Sequence, residues 1–144
     1  MTPANDIEVL ASDRPGEAHA IRRTVFVEEQ GVSEPVEFDD RDGAARHFVA
    51  RVGSDAAGTA RVRLVDADTA KVERVAVLPE FRGRGVGDAV MRAAHEYARN
   101  ENRSRALLHA QTRVAEFYES LGYESLGPVD DETGIPHVEM VLAL

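Results

Sequence analysis

The chain has 144 residues and a mass of 15.7 kDa, about one domain, with 43% hydrophobic and 30% charged residues, so collagenous and largely disordered classes are excluded. Acidic residues outnumber basic ones 26 to 17, a formal charge of −9 that opposes docking on nucleic-acid phosphates. Without cysteine there is no disulfide framework, thiolate nucleophile or Cys-based metal centre, and no apolar run approaches the roughly 18 residues of a membrane span.

The start Met1–Asp6 lacks a signal peptide's basic and apolar regions, so the expectation is a cytoplasmic protein forming a single domain over residues 1–144. Lys71 is the only lysine among the 17 basic residues, which fits a high-salt habitat or an Arg-rich codon bias equally.

In chain order, Ile7–Ala11 reads as a short strand. Ser12-Asp13 caps the helix that follows, with Pro15 in its first turn. Ala18, Ile21 and Val25 keep helical spacing until Gly31 stops it. Residues 32–45, rich in acids, read as loop or broken helix. Arg46–Val52, Thr59–Val65 and Lys71–Leu78 form an antiparallel meander, turning at Gly53-Ser54-Asp55 and Asp66-Ala67-Asp68. Val86, Val90, Ala93, Ala94 and Tyr97 mark an amphipathic helix. Arg105–Ala110 is a strand, Val114–Leu121 a helix ended by Gly122, and Tyr123–Leu126 and His137–Leu144 are strands. The order β-α-β-β-β-α-β-α-β-β predicts an α/β (α+β) mixed sheet with helices on its faces.

The stretch that carries chemistry is Val75-Ala76-Val77-Leu78-Pro79-Glu80-Phe81-Arg82-Gly83-Arg84-Gly85-Val86-Gly87. A strand enters a glycine-rich loop that opens directly into a helix. Glycines admit close backbone approach, and the helix N-terminus offers free N–H groups to an anion. Arg82 and Arg84 add donors suited to phosphate oxygens. The loop is not a P-loop, since no Gly-Lys-Ser/Thr follows, and Asp88 stands where a dinucleotide fingerprint needs its third glycine. Other features carry little: His95-Glu96 lacks the second histidine of a zincin at Arg99, and the five histidines have no spacing that predicts a metal site.

Together these residues resemble motif A of the GCN5-related N-acetyltransferases, whose acetyl-CoA loop reads Arg/Gln-x-x-Gly-x-Gly/Ala. Arg82, Gly85 and Gly87 fill that pattern, and Glu73-Arg74-Val75-Ala76-Val77 looks like the family's fourth strand. Ala115–Tyr123 is similar to its second signature. Arg22–Val32, Glu37, Asp39, Asp42 and His47 resemble a bacterial and archaeal subgroup that includes the ElaA-like proteins.

The resemblance implies the GNAT fold, with strands 4 and 5 splayed, and acetyl-CoA as donor without a metal. Its pantetheine arm would pair with the backbone of Val75, Ala76 and Val77, its pyrophosphate with Arg82-Gly83-Arg84-Gly85-Val86-Gly87, and Gln111 would bond an amide of the arm or cap the next helix. An amine would attack the thioester directly. Tyr118 occupies the position of the acid that protonates the departing thiolate. Glu73 is the first candidate for the base, followed by His47, His109 or a water relay. The acceptor wall implied by the family holds Phe26, Glu29, Glu37, Asp39 and His47, in a segment whose acids favour a cationic small-molecule amine. A homodimer formed through the strand Val138–Leu144 is a further expectation. The reading from another class is a non-catalytic acyl-CoA sensor, which would keep the loop without needing Tyr118.

Overall fold

The structure, a computed structural model, describes residues 6–12 and 16–144. The predicted cap at Asp13 and Pro15 falls outside them. Seven strands form one sheet: β1 (Ile7–Ser12), β2 (Arg46–Val52), β3 (Asp55–Leu64), β4 (Thr69–Val77), β5 (Arg105–Gln111), β6 (Glu124–Val129) and β7 (His137–Ala143). Their spatial order is β1-β2-β3-β4-β5-β7-β6, antiparallel except for the β4–β5 pair. Four α-helices accompany them: α1 (Gly16–Arg22), α2 (Glu34–Glu37), α3 (Val86–Asn100) and α4 (Ala115–Ser120). The predicted order of elements is the observed one, with α2 added in the acidic segment.

β3 begins at Asp55, four residues before the predicted Thr59, because a two-residue turn at Gly53-Ser54 pairs Val52 directly with Asp55. Its first residues, Asp55-Ala56-Ala57-Gly58, have poor strand propensity, and pairing with β2, joined from Gly58 onward by pairing with β4, overrides it. At Gly58 a Cβ would lie 2.7 Å from Val86 Cγ1, so glycine is what lets α3 start against the sheet. The buried face of α3 (Val86, Val90, Met91, Ala94, Ala98) packs with Val62, Val72, Ala106, Leu108 and Met140 to form the main core. A smaller cluster of Ala18, Ile21, Val25, Val49 and Ala76 seats α1 on the opposite face.

The predicted first helix is two kinds of helix in succession. After α1 the backbone widens into a π-helical segment, Arg23–Glu29, closed by Gln30 N–H to the Val25 carbonyl at 3.1 Å and by Gly31 with φ +73°. β7 lies inside the sheet, hydrogen-bonded to β5 on one side and to β6 on the other. Over His137–Val141 the C-terminal strand is paired on both sides, so that stretch offers no open edge for the expected strand-to-strand contact with a second subunit.

Candidate active site

β4 and β5 pair only at their beginnings, through Thr69–Arg105, Ala70–Ala106 and Lys71–Leu107. From Val72 onward they diverge, so the β5-facing backbone groups of β4 take no strand partner. On its other side β4 carries a bulge opposite Thr59–Arg61, at which Arg74 adopts φ +56°. That left-handed turn is held by the Arg74 guanidinium, which donates to the Val36 carbonyl (3.0 Å) and to Asp39 (3.2 Å). The bulge thereby re-aims Val75, Ala76 and Val77 just where the strands part.

A cavity of about 630 Å³ occupies the divergence. β4 contributes Val75, Ala76 and Val77, and β5 contributes Leu108, His109 and Gln111; Tyr118 of α4 also lines it. The π-helical segment widens the chain over the cavity and brings Val25, Phe26 and Gln30 to its wall. A further wall, which no sequence motif marked, is formed by Asp130–Thr133 in the β6–β7 connection and by His137 at the start of β7. The run of acids ending in Gly134 between two strands was its only signal.

The glycine loop stands at the end of β4. Gly83 (φ +75°) and Gly85 (φ +83°) have left-handed backbones that other residues adopt only with strain, and Gly85 immediately precedes α3. The first-turn N–H groups from Val86 have no intrahelical acceptor. At Gly87 a Cβ would stand 3.2 Å from Phe117 Cζ, so this glycine serves helix packing rather than dihedral freedom. Arg84 lies over the Phe81 ring at 5.4 Å. Arg82 is already committed: it bonds Glu29 through both terminal nitrogens (2.8 and 2.7 Å) and the Val77 carbonyl through Nε. That hydrogen bond holds the Glu29 carboxyl below its usual range. Glu29 is therefore a brace between the π-helical segment and the loop instead of an acceptor contact. Gln111 similarly donates to Gln30 across the opening, at 2.8 Å.

The acidic segment meets a set of arginines. Arg22 and Arg61 are fully buried. Arg22 bonds Glu37 (2.7 Å) and Asp42 (2.9 Å); Arg61 bonds Asp39 (2.8 Å) and Asp42 (2.9 Å). Burial is the largest influence on Asp42 and Asp39 and opposes their charge, but the arginine bonds outweigh it and keep both below the normal carboxylate range. For Glu37 burial wins over Arg74 and Arg22, and its carboxyl is pushed up.

Three expectations are corrected here. Glu37 and Asp39 line the cavity, but their charges are matched within the protein, so they do not supply the field expected to draw in a cation. His47 is 1% exposed, bonded through Nε2 to the Asp42 carbonyl behind this network, and does not reach the cavity; burial lowers its pKa. Glu73 does line the cavity, yet it is bonded by Arg63 and lies 3.3 Å from Arg61. Burial opposes its charge, but these arginines and Lys71 prevail and lower its pKa, which makes it a poor proton acceptor.

Tyr118 is nearly buried, and its ring meets Phe117 and Tyr123 edge-on at 5.0 and 6.0 Å. Burial pushes its phenol well above the ordinary tyrosine range, so it holds its proton at any physiological pH. Tyr123 is fixed in turn by His95, whose Nε2 lies 2.6 Å from the Tyr123 hydroxyl.

Comparison with known proteins agrees with this geometry. Residues 13–144 match the acetyltransferase (GNAT) domain family. The uncharacterised N-acetyltransferase YjcF of Bacillus subtilis is 35% identical over 126 residues, covering 87% of this chain and 89% of YjcF. ElaA of Escherichia coli is 32% identical over 124 residues, 83% of this chain and 81% of ElaA. The ElaA crystal structure superposes with a TM-score of 0.79, covering 94% of this chain and 98% of that one. A GNAT acetyltransferase from Elizabethkingia anophelis with acetyl-CoA bound shares the fold at a TM-score of 0.75 and 13% identity, over 97% of this chain and 99% of that one.

Proposed function

The chain belongs to the GNAT acetyltransferase family as an N-acetyltransferase, and on that premise we propose that it transfers the acetyl group of acetyl-CoA directly to a primary amine within a ternary complex. The observation that carries this reading is the parting of β4 from β5 beside the glycine loop. The free edge of Val75–Val77 offers the amide arm of the donor a strand to pair with, and a N–H on that edge can stabilise the thioester oxyanion. The left-handed glycines present the first N–H groups of α3 to the pyrophosphate, with Arg84 beside them. Arg82 acts indirectly, bracing the loop through Glu29.

Tyr118 is the group that returns a proton to the departing thiolate. Its phenol is protonated, it lines the cavity, and among the described residues its hydroxyl has no hydrogen-bond partner. The acceptor enters from the side walled by Phe26, Gln30 and the Asp130–Thr133 segment, and is a small-molecule amine or an amino terminus.

The test is a pair of measurements. Acetyl-CoA at about 100 times its Kd should stabilise the wild type by roughly 2.7 kcal/mol. Gly85→Asp, which sets a carboxylate and a strained backbone against the phosphates, should abolish that shift. Release of free CoA is then followed with a panel of amines: putrescine, phenethylamine, glucosamine 6-phosphate and a short peptide. Tyr118→Phe should keep the thermal shift and lower kcat by about 10²–10⁴. Binding of acetyl-CoA without turnover of any amine would leave a sensor rather than an enzyme, and an unchanged kcat in Tyr118→Phe would remove that residue from the chemistry.

A further inference from the structure

Proton removal from the incoming ammonium needs a base, and Glu73 is held by arginines. On β5, residues alternate between the two faces of the sheet. Ala106, Leu108 and Ala110 turn into the core under α3, which leaves His109 and Gln111 on the acceptor side. His109 stands just beyond the last β4–β5 pair, at Leu107, and its ring lines the cavity. Directly opposite it on β7 is Glu139, whose Oε2 lies 3.1 Å from His109 Nε2.

A carboxylate only accepts, so Nε2 carries the proton and donates to Glu139. Nδ1 is then the nitrogen with a free lone pair. The pair thus has the form of a base and its orienter: a half-buried imidazole fixed in one tautomer, with a negative charge behind it to balance the positive charge it gains.

We propose that His109 is the general base of the transfer and that Glu139 positions it, an assignment that rests on the direct-transfer reading above. Nδ1 takes a proton from the acceptor's ammonium. The amine lone pair attacks the thioester carbonyl, the C–N bond forms, and the C–S bond breaks as its electron pair leaves on sulfur. The thiolate takes the Tyr118 proton. The proton shed by the new amide nitrogen restores the phenol, and the proton on His109 passes to solvent. One proton is released per acetyl group moved.

The charged and titratable residues that share the cavity with His109 include Lys71, Glu73 and Arg74 on β4, Asp130, Asp131 and Glu132 before β7, His137 on β7 and Arg113 after β5, and Glu139 is bonded to its ring. His137 is the rival, since it too is an imidazole at the wall. Its Nδ1 donates to the Ile135 carbonyl at 2.6 Å, and its Nε2 lies 3.7 Å from Asp131.

The experiment follows CoA release from acetyl-CoA, with the fastest amine of the panel, across pH 5.5–9. The wild-type kcat/KM profile should have an acid limb. His109→Gln should lower kcat/KM by about 10²-fold or more and erase that limb, with the acetyl-CoA thermal shift retained. His109→Ala should recover rate on addition of free imidazole, which a packing role would not allow. Glu139→Gln, which keeps an acceptor but loses the charge, should move the acid limb to lower pH; His137→Gln should preserve the limb. A limb that survives His109→Gln, or that disappears in His137→Gln instead, overturns the assignment while leaving N-acetyltransfer intact. A wild type that transfers to no amine overturns both.

Discussion

Under α3 the sheet is covered by Val86, Val90, Met91, Ala94 and Ala98, whereas beneath α1 and α2 its cover is in large part ionised, with Arg22 and Arg61 buried among Glu37, Asp39, Asp42 and Glu73. Both faces exclude water, by different means. Dispersion and burial are non-directional, so the apolar face gives α3 a firm seat from which the glycine loop projects. Charge pairing is directional, so the ionic face fixes the segment 34–44, the short α2 and the turn after it, at a set distance from β4. The left-handed Arg74 belongs to the same device: its bulge on β4 is locked by carbonyls and a carboxylate of that loop. Glu37, Asp39, Asp42 and Glu73 are thus met by Arg22, Arg61, Arg63 and Arg74, with Lys71 also beside Glu73, where the sequence shows an excess of acid.

The largest effect expected from breaking this contrast is on stability. Arg61→Met removes the partner shared by Asp39, Asp42 and Glu73 and leaves carboxylates facing each other; a cost of about 3–5 kcal/mol follows from uncompensated buried charge. On the other face, Met91→Leu changes shape at nearly constant volume in a fully buried site and should cost less than about 1.5 kcal/mol. Urea unfolding midpoints compare the two directly. If the methionine swap proves the more damaging, the ionic face is not what holds the acceptor loop.

The two faces should also fail at different pH. His95, on the apolar face, has its pKa lowered to about 4 by burial first and by Arg99 second. A histidine depressed in the folded state is protonated earlier when unfolded. Stability is therefore whole above about pH 6.5 and falls toward pH 4, by roughly 3 kcal/mol over that span. Asp39, Asp42 and Glu73 are depressed carboxylates, so their contribution is present above about pH 4 and is lost only as pH falls further. Thermal melts from pH 7.5 to 3 should show two separate declines. His95→Gln should shrink the first, leaving the part that the buried His47 contributes through its own lowered pKa, and spare the second; a single decline, or one that His95→Gln leaves unmoved, breaks the distinction.

The glycine loop and α3, the half proposed to hold the donor, were legible in the sequence because they are built from local features. Gly83, Gly85 and the start of α3 are adjacent in the chain, and their conformations follow from residue type. The order of strands and the amphipathic α3 were legible for the same reason. The acceptor half was not, because its partners are far apart in sequence. Nothing near Glu37 or Asp39 announces Arg22 or Arg61, so those acids looked free. Glu73 looked available for the same reason, until Arg63 opposite Lys71 and Arg61 opposite Glu73 on β3 were brought to it by register. His109 was one strand histidine among several until β7 placed Glu139 across from it.

The smallest expected effect tests whether the glycine loop and Tyr118, the proposed acid, are mechanically joined. Gly87 sits in the first turn of α3, where its absent Cβ leaves room for Phe117, and Phe117 meets the Tyr118 ring edge-on. Gly87→Ala gains about 1 kcal/mol of helix propensity. Its methyl would stand 3.2 Å from Phe117 Cζ, so the ring must give way by a fraction of an ångström, and overpacking of this kind costs about 1–3 kcal/mol. The two effects nearly cancel, and Tm should barely move. Tyr118, however, follows its neighbour, and because a misplacement of about 1 Å costs on the order of 10²-fold in rate, this smaller one should lower kcat roughly five-fold. Acetyl-CoA affinity should stay within about two-fold, since the left-handed glycines are untouched. A fall in affinity without a fall in kcat would place the role of Gly87 at the phosphates, and the packing of α3 on α4 would then have no part in setting the acid.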